Sequence, residues 1–204
     1  MARQSGKRQT RKTYVVLGDG QTEQYYLKHL RTLKGYKYSI RPSLFASITI
    51  ETAGRIIDEY LSGGCDQIIY LTDYDTIVNQ NKIAEFEKLK GKYADSDEVL
   101  ICETMPSIEF WFLLHFLKTT REFSNASEVV TLLLKYISGY SKGETYLKSS
   151  KWVETLCANG KLETACNNSS SILTEKEKGD KGSHFPYSKA HIAIDCFEKQ
   201  KKNP

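Results

Sequence analysis

Apolar residues along the chain fall into short unbroken runs that alternate with helical stripes. Residues 13–17 read T-Y-V-V-L, a β-branched and aromatic run stopped by Gly18-Asp19-Gly20, which predicts a buried strand ending in a turn. From Thr22 onward, Tyr26, Leu27, Leu30 and Leu33 recur on one face of a helix expected to stop near Gly35. A second strand is expected within residues 38–45, made irregular or held to an edge by Pro42; Ala53, Ile56, Ile57, Tyr60 and Leu61 then repeat the helical stripe as far as Gly63-Gly64. Residues 67–72 supply a third strand, followed by Asp73-Tyr74-Asp75. Ile83, Phe86 and Leu89 mark a further helix before Gly91, and residues 98–102 a fourth strand.

Strands alternating with amphipathic helices of this length predict parallel pairing through right-handed crossovers, hence an α/β fold with a sheet of about four strands flanked by helices. Beyond Pro106 the pattern changes. Helices are expected over 106–117, 126–137, 151–158 and 162–178, and a last one over about 188–199 after the Gly-, Pro- and charge-rich stretch 179–187; no strand is expected there. The expected organisation is a basic arm over 1–12, an α/β core over 13–117 and a C-terminal helical extension over 118–204 packed on that core.

In a parallel sheet, sites form at the carboxyl ends of the strands. Acids recur at those places: Asp19 after the first strand, Asp73 and Asp75 after the third, Glu103 after the fourth, with Glu23 and Glu109 about a turn into the helices that follow. If the D-Y-D segment is extended, both aspartates share a face and can address one hard cation such as Mg2+ or Mn2+; acids after strands also serve as turn and cap residues. Glu109 stands inside M-P-S-I-E-F-W-F-L-L-H-F, an otherwise strongly apolar helix. A carboxylate there needs a partner from elsewhere in the fold, and a metal ion, a lysine or an arginine would each serve. His115, four residues after Trp111, reads as a packed histidine. Four histidines in all support no zinc cluster, and G-D-G-Q-T lacks the lysine of a P-loop, which argues against nucleotide hydrolysis.

Composition narrows this picture. At 204 residues, 40% of them hydrophobic, the chain can bury a substantial core. A net charge of +4 permits a nucleic-acid partner without requiring one. The basic residues gather at the ends: Arg3, Lys7, Arg8, Arg11 and Lys12 at one, Lys199, Lys201 and Lys202 at the other. Five cysteines without a C-x-x-C pair read as reduced thiols, and no apolar run is long enough to span a bilayer, so a cytoplasmic protein with no membrane contact is expected.

The motifs in order resemble the RloB-like family, bacterial proteins linked to restriction and abortive infection whose core looks like a Toprim domain. Asp19-Gly20-Gln21-Thr22-Glu23 followed by Tyr25-Tyr26 is similar to the family's acid-Gly-x-Thr-Glu turn and aromatic pair. Asp73 and Asp75 match its D-x-D; Pro106, Glu109, Trp111, Leu113, Leu114, His115 and Phe116 match its N-P-x-x-E-x-W-x-L-L-H-F segment; Phe185-Pro186-Tyr187-Ser188 echoes its last helix start. The chain departs from the pattern at Met105, where the family has asparagine, and at Asp19, where Toprim enzymes carry a glutamate. The resemblance implies a Toprim-like core and a metal-dependent nuclease of antiviral defence acting on RNA or DNA. Asp73 and Asp75 would be the metal ligands, and Asp19, Glu23 and Glu109 would complete the catalytic cluster. It also implies an AAA-type ATPase as partner. A catalytically inactive adaptor, binding such an ATPase or a nucleic acid, is the alternative that the shorter Asp19 favours.

Overall fold

The structure, a computed structural model, describes residues 12–42, 48–179, 181–182 and 184–202. The expected basic arm ahead of Lys12, residues 43–45 of the second strand region, and residues 180 and 183 of the loop before the last helix lie outside the described residues. Five strands form one sheet in the order β2-β1-β3-β4-β5. They are β1 (Tyr14–Gly18), β2 (Ser39–Arg41), β3 (Gln67–Asp73), β4 (Val99–Met105) and β5 (Tyr187–Ser188). The first four pair in parallel, through α1 (Gln21–Lys34), α2 (Ile50–Ser62), and α3 (Tyr74–Asn79) with α4 (Ile83–Lys92).

Because the sheet is covered on both faces, β1 and the middle of β3 read as continuous apolar runs rather than alternating ones. Successive residues nonetheless serve two cores. Val15, Leu17, Ile68 and Tyr70 pack with Ile50, Ile57 and Phe86 under α2 and α4. Val16, Ile69, Leu71 and Cys102 join the larger cluster on the other face, with α1 and the C-terminal half.

That half consists of α5 (Ile108–Leu114), α6 (Ala126–Leu133), α7 (Glu144–Leu147), α8 (Lys151–Cys157), α9 (Lys161–Lys178) and α10 (Ala190–Lys202). Trp111, Leu133, Trp152, Ile172 and Phe197 share one apolar cluster with the sheet residues Val16 and Ile69. Trp111 is fully buried, and its Nε1–H donates to the Tyr26 hydroxyl at 2.8 Å, so the one polar atom of the ring is satisfied inside the core. His115 is a packed histidine: its Nδ1 lies 3.0 Å from the Trp111 carbonyl oxygen and its ring meets the indole edge to face.

Two expectations need correction. The C-terminal half does contain a strand, β5, which pairs antiparallel with β4 through Thr104 with Ser188 and Met105 with Tyr187, so the sheet has five strands rather than about four. The D-Y-D segment is not extended. β3 ends at Asp73 and α3 starts at Tyr74, because the Asp75 amide turns back to donate to the Pro106 carbonyl oxygen. Among the described residues, no helix is long and apolar enough to cross a membrane.

Candidate active site

The carboxyl ends of β1 and β3 and the start of α5 meet at one end of the sheet. Asp19 follows β1, and its Oδ2 accepts a hydrogen bond of 2.7 Å from the Thr72 hydroxyl on β3. Gly20 then opens α1, which places Glu23 in the first turn, where the helix dipole favours an anion. Glu23 folds back over Gly20 so closely that a Cβ there would stand 2.9 Å from its Oε2. Asp73 closes β3, and its Oδ1 accepts from the Ile108 amide at 2.7 Å, tying the strand end to the start of α5.

Glu109, one residue further, is 0% exposed. Its Oε2 accepts from the Ser107 hydroxyl at 2.7 Å and its Oε1 from the Tyr140 hydroxyl at 3.0 Å. Lys142 supplies the countercharge, with Nζ 3.0 Å from Glu109 Oε2. Both Tyr140 and Lys142 come from the segment joining α6 to α7. Buried Ile137 and Tyr140 anchor that segment, and Gly139 turns it at φ +74°, a conformation that other residues rarely adopt.

A cleft of about 330 Å³ opens over these groups, lined among others by Asp19, Glu23, Thr49, Asp73, Gln80 and Lys142. Glu109 lies behind Lys142 rather than on the cleft wall. Asp75, on the first turn of α3, is half buried and still within the electrostatic reach of Glu109 and Lys142. The sequence-predicted residues Asp19, Glu23, Asp73 and Glu109 are thus brought together, with Asp75 at the margin. Glu103 is not among them, being directed into a separate group with Lys189 and Lys90.

Electrostatically the cluster carries more negative charge than it comfortably holds. Burial, with the nearby Glu109 and Asp19 carboxylates, pushes Glu23 up to about 7. Burial and then Glu23 and Glu109 hold Asp73 well above the usual carboxylate range, against the opposing pull of Lys142 and the Ile108 amide. Asp19 and Asp75 are raised as well, chiefly by burial. Lys142 is held above its ordinary value although burial works against its charge, because Glu109, Asp73 and Glu23 together outweigh that cost. Carboxyl groups with spread proton affinities lining an open cleft are suited to proton transfer at neutral pH.

The donor chemistry suits a hard divalent cation, since every candidate ligand is a carboxylate oxygen. In the arrangement seen, however, no group of three or more histidine, cysteine, aspartate or glutamate side chains among the described residues is placed to hold a metal ion. The positive charge among the carboxylates is the Lys142 ammonium. Sequence reasoning missed Lys142, Tyr140 and Ser107. The signal for Lys142 is only a lysine in a turn between Gly139 and Gly143; Ser107 stood in plain view two residues before Glu109, within the P-S-I-E run.

No curated protein and no solved structure matches the chain. A family model described as RloB-like protein matches residues 14–195, a span that takes in β1, the acidic cleft, Lys142 and the start of α10. On that match the chain belongs to the RloB-like family.

Proposed function

We propose that this protein is a divalent-metal-dependent nuclease of the Toprim type that hydrolyses phosphodiester bonds of RNA or DNA, acting in the bacterial cytosol in antiviral defence of the abortive-infection kind. One observation carries the reading: carboxylates from three separate elements converge on an open cleft at the carboxyl ends of parallel strands, where burial and then mutual repulsion raise the proton affinities of Glu23 and Asp73. A packed scaffold has no use for such a surplus of buried charge unless a cationic or proton-exchanging ligand completes it. Asp73 and Asp75 would hold Mg2+ or Mn2+, with Asp19 beside them. The ion would neutralise phosphate charge and lower the proton affinity of a bound water. Glu23, with a proton affinity near neutrality, is the group suited to take the proton from the attacking water. Glu109 would complete the acidic cluster from behind the cleft wall, where Lys142 is its partner in the arrangement seen.

The Asp19–Thr72 hydrogen bond favours a second reading, a catalytically inactive adaptor that binds an AAA-type ATPase or a nucleic acid, because it engages the shorter carboxylate at the first strand end in an internal contact. Cleavage of labelled tRNA, single-stranded RNA and plasmid DNA with Mg2+ or Mn2+ separates the two. Metal-dependent cleavage that an Asp73→Ala/Asp75→Ala variant lacks is the expected outcome. Failure of both proteins to cut any substrate, with a neighbouring ATPase supplied, would leave the adaptor.

A further inference from the structure

Lys142 is the feature of the cleft that a purely acidic site does not explain. Its Nζ is 3.0 Å from the fully buried Glu109 and within the electrostatic reach of Asp73 and Glu23, the carboxylates a divalent ion would share. Its position is held by a tether rather than by a core. Residues 138–143 lie outside any helix or strand, between the buried anchor Ile137 and the start of α7, and Tyr140 is fixed through its hydroxyl to Glu109. The Lys142 side chain remains 47% exposed, so it can swing into water without unpacking anything. Two cations cannot occupy so small a space at no cost, because like charges a few ångströms apart repel and both draw on the field of Asp73 and Glu23.

We propose that Lys142 is a positioning residue of the acidic site: a tethered cation that holds the carboxylates together until a divalent ion competes for them and displaces it from Glu109. The proposal rests on the reading that the cleft takes a divalent ion. It accounts for the lack of a metal-ligand set of three or more side chains among the described residues, where the ammonium stands within electrostatic reach of Asp73 and Glu23.

The test is titration of Mn2+ into the full-length natural chain and its Lys142→Met and Lys142→Arg variants by calorimetry, without nucleic acid. Amine acylation of the natural chain, with and without Mn2+ and read by mass spectrometry, accompanies it. Lys142→Met is expected to bind Mn2+ about tenfold tighter or more, since an opposing charge has left the site, and Lys142→Arg to stay near the natural affinity. Acylation of Lys142 is expected to rise with Mn2+. That of Lys148, paired to Glu144 on the surface, is expected to stay constant. Equal or weaker Mn2+ binding by Lys142→Met, or Lys142 acylation indifferent to bound Mn2+, overturns the competition while leaving the metal site standing. Absence of Mn2+ binding in all three proteins overturns the metal reading and this proposal with it. If Lys142→Met does not fold, acylation of the natural chain decides.

Discussion

Glu103 on β4 and Glu109 on α5 are both buried carboxylates, and each meets a lysine from the C-terminal half, Lys189 Nζ at 2.8 Å and Lys142 Nζ at 3.0 Å. Their surroundings differ in sign. Around Glu103 stand a second lysine, Lys90, at 3.9 Å and the Tyr187 hydroxyl at 3.4 Å, all on Oε1, so positive charge exceeds that of the one carboxylate although its buried Oε2 has no hydrogen-bond partner. Around Glu109 stand Glu23 and Asp73, so a single lysine serves several carboxylates. A buried ion pair that closes its own charge ties two parts of the chain together. One that leaves surplus negative charge facing a cleft gives up stability for something else, as functional sites commonly do.

Substitutions that neutralise each side should separate the two roles. Asp73→Asn keeps an acceptor for the Ile108 amide and should lower cleavage by about 10³-fold, whereas Glu103→Gln should leave the rate within about twofold, its group being outside the cleft; initial rates on one labelled substrate decide. Stability should sort the other way. Lys189→Met strands a buried carboxylate with only the more distant Lys90 and should lose about 3 kcal/mol in urea unfolding. At the small end, Asp73→Asn should gain about 1 kcal/mol by relieving repulsion in the cluster. A stability loss on Asp73→Asn as large as that on Lys189→Met would erase the distinction between the two groups.

Between these effects lies a pH response that belongs to neither. Burial holds His115 down to about 3 from 6.5, and its Nε2 has no hydrogen-bond partner. The fold therefore keeps the ring neutral while the unfolded chain takes up a proton below about 6.5, so stability is lost as pH falls from there toward 3. Between pH 7.5 and 4.5 the natural chain should lose about 2 kcal/mol more than His115→Phe does. Parallel curves for the two proteins in denaturant titrations would show that His115 does not titrate in this way.

Most strands and helices of the first hundred residues were legible because two-sided burial writes itself as β-branched runs, and Gly35 and Gly63 mark helix ends in local chemistry. β5 was not legible, since two residues carry no periodicity and their pairing is set by Thr104 and Ser188, whose hydroxyls meet at 2.8 Å across the fold. The acids of the cleft were visible as acids after strands. Their countercharge was not, because nothing local in Ser141-Lys142-Gly143 indicates that it folds back onto α5. The D-x-D spacing misled for a related reason: a helix begins between the two aspartates, held by a carbonyl of Pro106 that the spacing does not reveal.

β5 also bears on how copies of this chain meet. A parallel sheet with apolar strands offers unpaired amide and carbonyl groups along its borders, which invite strands from other molecules. On one border β5 turns antiparallel onto the end of β4, and α10 continues from it in contact with the same strand. On the other, β2 is three residues long and is followed at once by Pro42, which has no amide to donate. Among the described residues, both borders are thus short or already occupied by the chain itself. Along the described borders, self-association by sheet extension, the common route from a β-rich surface to insoluble aggregate, has little purchase.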